Sequence, residues 1–334
     1  PNPGSWTEYQ YDFNVSSFTS TGQKAWNTTY LRQNSRYATS IIEERNGVVI
    51  VGTYRNYAQL SIDDGSIIDY AEYCPDIIGP DGTHFVNSGG GLLKALKPDG
   101  TTKWQFDKSG AKIAVGCDGA IYTCRNDNGY LICLNADGTP RFESSVNGLL
   151  LVDPNNTVYG YKRNSNNNEY MLCAVSHNGM ILWSTKTCCP KYYCLGPDGT
   201  VYLTDSMWLE AISLNGKLKW KKQLHSSNTY ITQPIVDAGG RIYYFSGSDK
   251  CFYILDGDGN ELCKTPAPLG ISWVDKMRFD KDGHIWAFVK YSTESANDYG
   301  LAIFGEADYG PITGLEDIVE IAKRDPKAIN IISK

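Results

Sequence analysis

The stretch that decides the fold is LLKALKPDGTTKWQF, Leu92 to Phe106, in which an apolar run meets an Asp-Gly turn and a tryptophan follows four residues past the glycine. The pattern returns as LICLNADGTPRF (Leu131 to Phe142), MLCAVSHNGMILW (Met171 to Trp183), LEAISLNGKLKW (Leu209 to Trp220) and FYILDGDGNELC (Phe252 to Cys263). A weaker copy, AQLSIDDGSIIDY, ends at Tyr70. The turn glycines are Gly65, Gly100, Gly138, Gly179, Gly216 and Gly259, so the steps are 35, 38, 41, 37 and 43 residues. Recurrence at such a period marks a repeat architecture.

A second turn series interleaves with the first. RNGVVIV, PDGTHFV, CDGAIYT, PNNTVYG, PDGTVYL, AGGRIYY and KDGHIWA place turns at Gly47, Gly82, Gly119, Asn156, Gly199, Gly240 and Gly283. Asp-Gly or Asn-Gly between short β-branched and aromatic runs signals a tight hairpin with both turn residues at positive φ. Each period of about forty residues thus holds two hairpins, or four short strands, which is the pattern of a propeller blade.

Seven first hairpins face only six complete second ones. TGQKAWNTTY (Thr21 to Tyr30) carries the same Gly-to-Trp spacing without a first hairpin, and GLAIFGEAD near the C-terminus lacks an outer strand. The economical expectation is that residues 21–30 supply the outermost strand of the last blade, closing a seven-bladed ring that spans residues 21–305 and leaves no open edge at its seam. Trp26, Trp104, Trp183 and Trp220, with Phe142 as substitute, sit at one place in their repeats. Their expected role is packing between neighbouring blades, each burying roughly 150–250 Å².

With these residues in view, the chain resembles the quinoprotein-like, or PQQ-like repeat, propellers, whose repeat reads approximately DGxxYxxxxxGxLxALxxDGxxxW. The best copies are residues 81–106 and 197–220. The resemblance implies an all-β propeller of four-stranded antiparallel blades, and the hairpin count sets the expected number of blades at seven, where the quinone dehydrogenases have eight on a longer chain. It leaves function open, because the superfamily includes quinone dehydrogenases, membrane-assembly scaffold lipoproteins and surface-displayed repeat proteins. In the dehydrogenases a ring made by adjacent cysteines packs against the quinone, which makes Cys188 and Cys189 the weak cofactor-contact candidates here.

Composition adds boundaries. The 334 residues carry a net charge of −6, 41% hydrophobic residues, 33 glycines and 23 tyrosines. The acidic balance argues against a nucleic-acid footprint, which needs a basic stripe, and no apolar run approaches a bilayer-spanning length. The start at Pro1, with no methionine or signal-like segment, is read as a processed or truncated form.

Ten cysteines and the sequons at Asn14, Asn27 and Asn155 favour an oxidising compartment, hence a secreted or surface location. Cys124 with Cys133, and Cys251 with Cys263, flank hairpin turns and are the disulfide candidates.

Catalytic signals are thin. The four histidines His84, His177, His225 and His284 are scattered singly, without metal-ligand spacing. DGDGNE (Asp256 to Glu261) imitates the start of a calcium loop but lacks its glycine at the sixth position and its glutamate at the twelfth. No catalytic residue, metal site or cofactor is assigned.

Residues 1–20 and 306–334 lie outside the repeats. In GLEDIVEIAKRDPKAIN, Leu315, Ile318, Val319 and Ala322 form an apolar stripe, with acids in the first turn and bases in the last, which predicts a short amphipathic helix ended before Pro326. These extensions are candidates for self-assembly. The favoured function is a non-catalytic extracellular module engaging a glycan or protein partner, as on a surface or virion appendage. The alternative is a quinone-dependent dehydrogenase or carbohydrate-active enzyme using the central funnel.

Overall fold

The computed structural model describes residues 11–18, 24–32, 40–45, 48–52, 57–61, 63–71, 75–87, 91–164, 169–205, 207–224, 230–267, 271–279, 285–292, 297–304 and 331–332. Among them the regular elements are β-strands, with no helix. The helix expected over 315–324 lies outside the described residues. The chain divides into two compact units, Pro1–Ser145 and Val146–Lys334.

In the first unit β1 (Tyr11–Phe18) and β2 (Lys24–Arg32) form an antiparallel hairpin. A four-stranded sheet follows in the order β3 (Ser40–Arg45), β4 (Val48–Gly52), β5 (Tyr57–Ser61) and β6 (Ile67–Ala71). The next runs through β7 (Ile77–Ile78), β8 (His84–Asn87), β9 (Leu93–Leu96) and β10 (Thr102–Phe106). Then β11 (Ser109–Val115), β12 (Ile121–Arg125) and β13 (Tyr130–Leu134) lead into β14 (Pro140–Val152), one 13-residue strand that passes the unit boundary.

In the second unit the end of β14 pairs with β15 (Val158–Asn164), which continues to β16 (Glu169–Val175) and β17 (Ile181–Thr187). Three further four-stranded sheets follow. They are β18 (Tyr192–Leu195), β19 (Val201–Thr204), β20 (Trp208–Ile212) and β21 (Leu218–Gln223); β22 (Ile235–Val236), β23 (Ile242–Ser246), β24 (Cys251–Leu255) and β25 (Glu261–Pro266); and β26 (Ile271–Phe279), β27 (Ile285–Ser292), β28 (Asn297–Phe304) and β29 (Ile331–Ile332). With β14 counted in both of the sheets it joins, the described strands β3–β29 make seven groups of four.

The closing strand differs from the expectation. Residues 24–32 pair with β1, not with the last sheet, and the fourth strand of that sheet is Ile331–Ile332, opposite Leu301 and Ala302. A local hairpin closes a short loop, whereas pairing residues 21–30 with β28 closes a loop of most of the chain, and closure entropy grows with loop length.

The turns also differ in kind. In the β18–β19 turn, Gly196 N–H donates to the Thr200 carbonyl (2.8 Å) and Gly199 N–H to the Gly196 carbonyl (3.0 Å). This is a three-residue loop, Pro197-Asp198-Gly199, in which only Gly199 has positive φ (77°). It is a type I turn closed by a left-handed residue, not a two-residue mirror-image turn. Asp198 stays in the ordinary region and its carboxylate accepts Thr200 N–H (3.0 Å) and Oγ1–H (2.8 Å). At the equivalent place in the β14–β15 turn, Asn156 takes the left-handed conformation itself (φ 60°), which asparagine tolerates better than other non-glycine residues.

Burial explains the strand compositions. The second strands are most deeply buried where they leave their first turn, as at Ile121–Thr123 of β12, and all four residues of β19 are buried. Outer strands alternate, as in β21, where exposed lysines flank the half-buried Trp220. In the second unit Tyr159, Leu172 and Ala174 of one sheet share a core with Val201, Leu203 and Ile212 of the next, so middle strands are covered on both faces.

The repeated tryptophan ties these layers together. Within its own sheet, Trp104 packs on Phe85, Trp183 on Tyr159 and Trp220 on Tyr202, with ring centroids at 5.9, 6.0 and 6.0 Å. Each indole then reaches the following sheet. Nε1–H donates to the carbonyls of Ala136, Leu214 and Gly257 respectively, at 2.8 Å each time. Phe142 repeats the contact with its own sheet, 6.4 Å from Tyr122, but has no N–H to offer. Trp26 lies on β2, and its side chain is outside the described residues.

Candidate functional site

The two ends of each sheet are built differently. One end carries the Asp-Gly turns and the tryptophan contacts. The other carries the connections between second and third strands and between successive sheets, and in the second unit it gathers the chemically active side chains.

β17 ends at Thr187, and Cys188, Cys189, Pro190 and Lys191 lead into β18. Opposite them, the β19–β20 connection is held by Asp205, whose carboxylate accepts Met207 N–H (2.9 Å) and Trp208 N–H (2.8 Å). This fixes the start of β20 and presents Trp208 and Glu210. Glu210 lies directly across from Lys221 in the β20–β21 ladder. Its side chain is only 4% exposed and bonds Lys221 Nζ at 2.7 Å. The same carboxylate accepts Cys188 N–H (3.0 Å) and the Thr187 hydroxyl, while Lys221 Nζ sits 4.8 Å from the centre of the Trp208 ring.

These contacts set the charges. Burial pushes the Glu210 carboxyl up, but the bonds from Lys221, Thr187 and the Cys188 amide outweigh it and leave it below its ordinary value. The bond to Glu210 raises the Lys221 ammonium despite partial burial. Burial, reinforced by the charges of Glu210 and Asp205, pushes the Cys188 thiol far above its ordinary range. The arrangement is an ionised acid, a protonated base and a neutral thiol, mutually locked.

The vicinal cysteines are divided by this geometry. Cys188 is buried against Glu210, whereas Cys189 is exposed. The Cys189 thiol raises the pKa of the Tyr170 hydroxyl. Tyr170 in turn packs 5.9 Å from Tyr161, with the Arg163 guanidinium 5.9 Å above its ring.

A related arrangement recurs on the next sheet. Lys264, directly across from Tyr253, holds its ammonium 5.1 Å from that ring and 2.8 Å from the Asp249 carboxylate. Asp249 also accepts the Tyr253 hydroxyl, and Tyr253 stacks on Tyr244 at 4.9 Å and 2°. Further along, Trp273, 38% exposed, stacks on Tyr230 with centroids 3.3 Å apart, and the Tyr230 hydroxyl donates to the Val274 carbonyl. The end is a series of aromatic faces, two of them carrying an ion-paired lysine ammonium.

The disulfide candidates are corrected by register. Cys124 faces Leu131, and Cys133 faces Tyr122, so the two are diagonal neighbours about 7–8 Å apart, beyond bridging distance. Cys251 faces Pro266 and Cys263 faces Ile254, three positions apart on opposite faces of the pleat. Cys133 bonds the Leu134 carbonyl (3.7 Å), Cys251 the Asp249 carbonyl (3.4 Å) and Cys263 the Thr265 hydroxyl (3.3 Å). Cys74 lies outside the described residues.

Asn155 is exposed in the β14–β15 turn. Asn14 and Asn27 lie on the paired strands β1 and β2, opposite Thr29 and Ser16, with their side chains outside the described residues. His84 is buried, and burial lowers its pKa; His225 and His284 lie outside the described residues. Among the described residues no group of three metal-ligating side chains forms, and no helix is long and apolar enough to cross a membrane. Asp256, first in the calcium-like stretch, spends its carboxylate on Asp258 N–H and on Asn260 N–H and Nδ2. Glu210, Lys221 and Trp208 escaped the sequence reading. Their signal is hairpin register with one irregularity: counting outward from the β20–β21 turn sets Glu210 against Trp220, and the bulge between Ala211 and Ile212 moves it to Lys221.

The family model described as outer membrane protein assembly factor BamB matches residues 89–266, more than half of the chain. No curated protein matches the sequence. A streptogramin B lyase structure aligns with TM-score 0.55 at 16% identity, covering 85% of this chain and 96% of that one. Virginiamycin B lyase from Staphylococcus aureus gives 0.54 at 14%, covering 84% and 96%. Hsv2 of Kluyveromyces lactis gives 0.55 at 9%, covering 78% and 91%. At these identities the likeness is one of fold.

Proposed function

This chain belongs to the BamB-type family of PQQ-like repeats, and from that premise we propose that it is a seven-bladed β-propeller serving as a non-catalytic binding module. Its seven groups of four strands are the blades, and its connection end is the face that engages a glycan or protein partner. The proposed location is secreted or on a cell or virion surface, a reading that the exposed Asn155 sequon supports.

One observation carries the reading. Glu210 and Lys221, the buried acid and its base at the connection end, are each moved away from neutrality by the other, and Cys188 beside them is held as a thiol. General acid–base catalysis asks for pKa values near the working pH, and nucleophilic sulfur requires the thiolate. What the face offers instead is stacking area with polar rims in Trp208, Tyr170 and Trp273, suited to recognition on a rigid scaffold.

The test joins a glycan array to reconstitution with pyrroloquinoline quinone and calcium, assayed with alcohols and sugars against an acceptor dye. Saturable glycan binding that falls in Trp208→Ala and Trp273→Ala supports the module with a glycan partner, and a silent array assigns the partner to the protein class. Stoichiometric quinone binding with turnover overturns the proposal and restores Cys188 and Cys189 as cofactor contacts.

A further inference from the structure

Two sheet edges stand out by their exposed apolar side chains. β6 ends the strand order of its sheet, and Ile67 and Ile68 at its start are 50% and 55% exposed. They follow Asp63 and Asp64, both exposed in the β5–β6 turn. The Ser66 amide and hydroxyl hold the Asp64 carboxyl below its ordinary value, so this edge is apolar and acidic.

The second edge is β17, also terminal in its strand order. Met180, Ile181 and Leu182 there are 64%, 39% and 56% exposed. The Trp183 bond to the Leu214 carbonyl brings this edge against the β20–β21 turn, which adds Leu214 (53%) and Leu218 (50%). Exposed Lys217 lies between them, so this edge is apolar and basic.

Scattered exposed leucines need no account. An outer strand is different, because its second edge has no strand partner among the described residues, and such an edge is the template for strand addition. Both apolar runs start within two residues of a turn glycine, Gly65 and Gly179, and their flanking charges are opposite. Pairing them in parallel sets the acidic β5–β6 turn beside the β16–β17 turn, toward Lys217.

We propose that β6 of one copy of this chain docks on β17 of a second copy, extending the sheet through apolar contact and guided by Asp63 and Asp64 against Lys217. The two surfaces differ, so the contact is heterologous, and an open assembly of any length keeps one unused edge of each kind at its two ends.

Sedimentation of the full chain over a range of concentrations tests this, with far-UV circular dichroism confirming the fold of each variant. The unaltered chain is expected to rise past about twice the monomer mass, as a head-to-tail contact requires. Ile67→Lys/Ile68→Lys and Ile181→Lys/Leu182→Lys are each expected to sediment alone as monomers, and their equimolar mixture to stop at a one-to-one dimer. Lys217→Glu, which leaves both strands untouched, is expected to weaken association of the unaltered edges about tenfold. A chain that stays monomeric throughout, a blocked variant that still self-associates, a mixture of folded variants that stays monomeric, or an unchanged Lys217→Glu overturns the proposal.

Discussion

The indole of Trp183 lies over Gly216 so closely that a Cβ added to the glycine falls 2.5 Å from Cδ2 of the ring. The same glycine has φ of 80°, so two separate reasons exclude a side chain there. Gly240 has φ of 81° but nothing within 4 Å of the added atom. Gly240→Ala is expected to cost about 1 kcal/mol, the left-handed backbone alone, and Gly216→Ala about 1–3 kcal/mol more for the overpacked contact. Urea unfolding of the two variants isolates the second contribution as a difference, and equal losses refute the clamp.

The Glu210 carboxyl has a folded pKa below its ordinary value near 4.5. The stability it contributes is therefore present above that value and lost as pH falls through the folded pKa. Lys221, raised above its ordinary value, contributes below that value and loses its share only as pH rises through the folded pKa. Glu210→Gln is expected to cost roughly 2 kcal/mol at neutral pH and to flatten the acid limb of a stability-against-pH curve. An acid limb unchanged in the variant rules this out.

Because the ladders hold each pair out of reach, no Cys124–Cys133 or Cys251–Cys263 cross-link is expected in the unreduced chain digested under denaturing conditions. Peptide mapping decides the point, and a Cys124–Cys133 or Cys251–Cys263 cross-linked peptide contradicts the register.

The Tyr122 hydroxyl is buried without an oxygen or nitrogen partner, and burial, with the Cys133 thiol beside it, pushes its pKa well above the ordinary range. Removing a buried hydroxyl that makes no good bond leaves nothing orphaned. Tyr122→Phe is expected to be neutral or to stabilise by up to about 1 kcal/mol; a loss larger than that, measured by thermal or urea unfolding, shows a bond that the geometry lacks.

The repeat could be read from the sequence because its signals are local: a glycine where the backbone turns left-handed, an apolar run for a strand covered on both faces, an indole at a constant distance past the turn. The kind of turn was less legible, because Asp-Gly suits a two-residue and a three-residue loop alike and the choice lies in whether Gly196 or Pro197 begins it. The partner of β28 was illegible for another reason: Ile331–Ile332 is a two-residue strand without a turn to announce it. Glu210 and Lys221 sit between these cases, since each looks like a surface charge until the ladder sets them opposite. The cysteine pairs misled because flanking a turn is a weaker condition than facing each other across it.

The opposed ends of each sheet have a consequence for change. At the turn end, Trp104, Trp183 and Trp220 each tie their own sheet to the next turn, so a change at one of these contacts disturbs two sheets. At the other end, Asp205 spends its carboxylate inside its own connection, on the Met207 and Trp208 N–H groups. A lineage, or an engineer, can therefore rewrite that connection while the tryptophan contacts at the turn end stay in place.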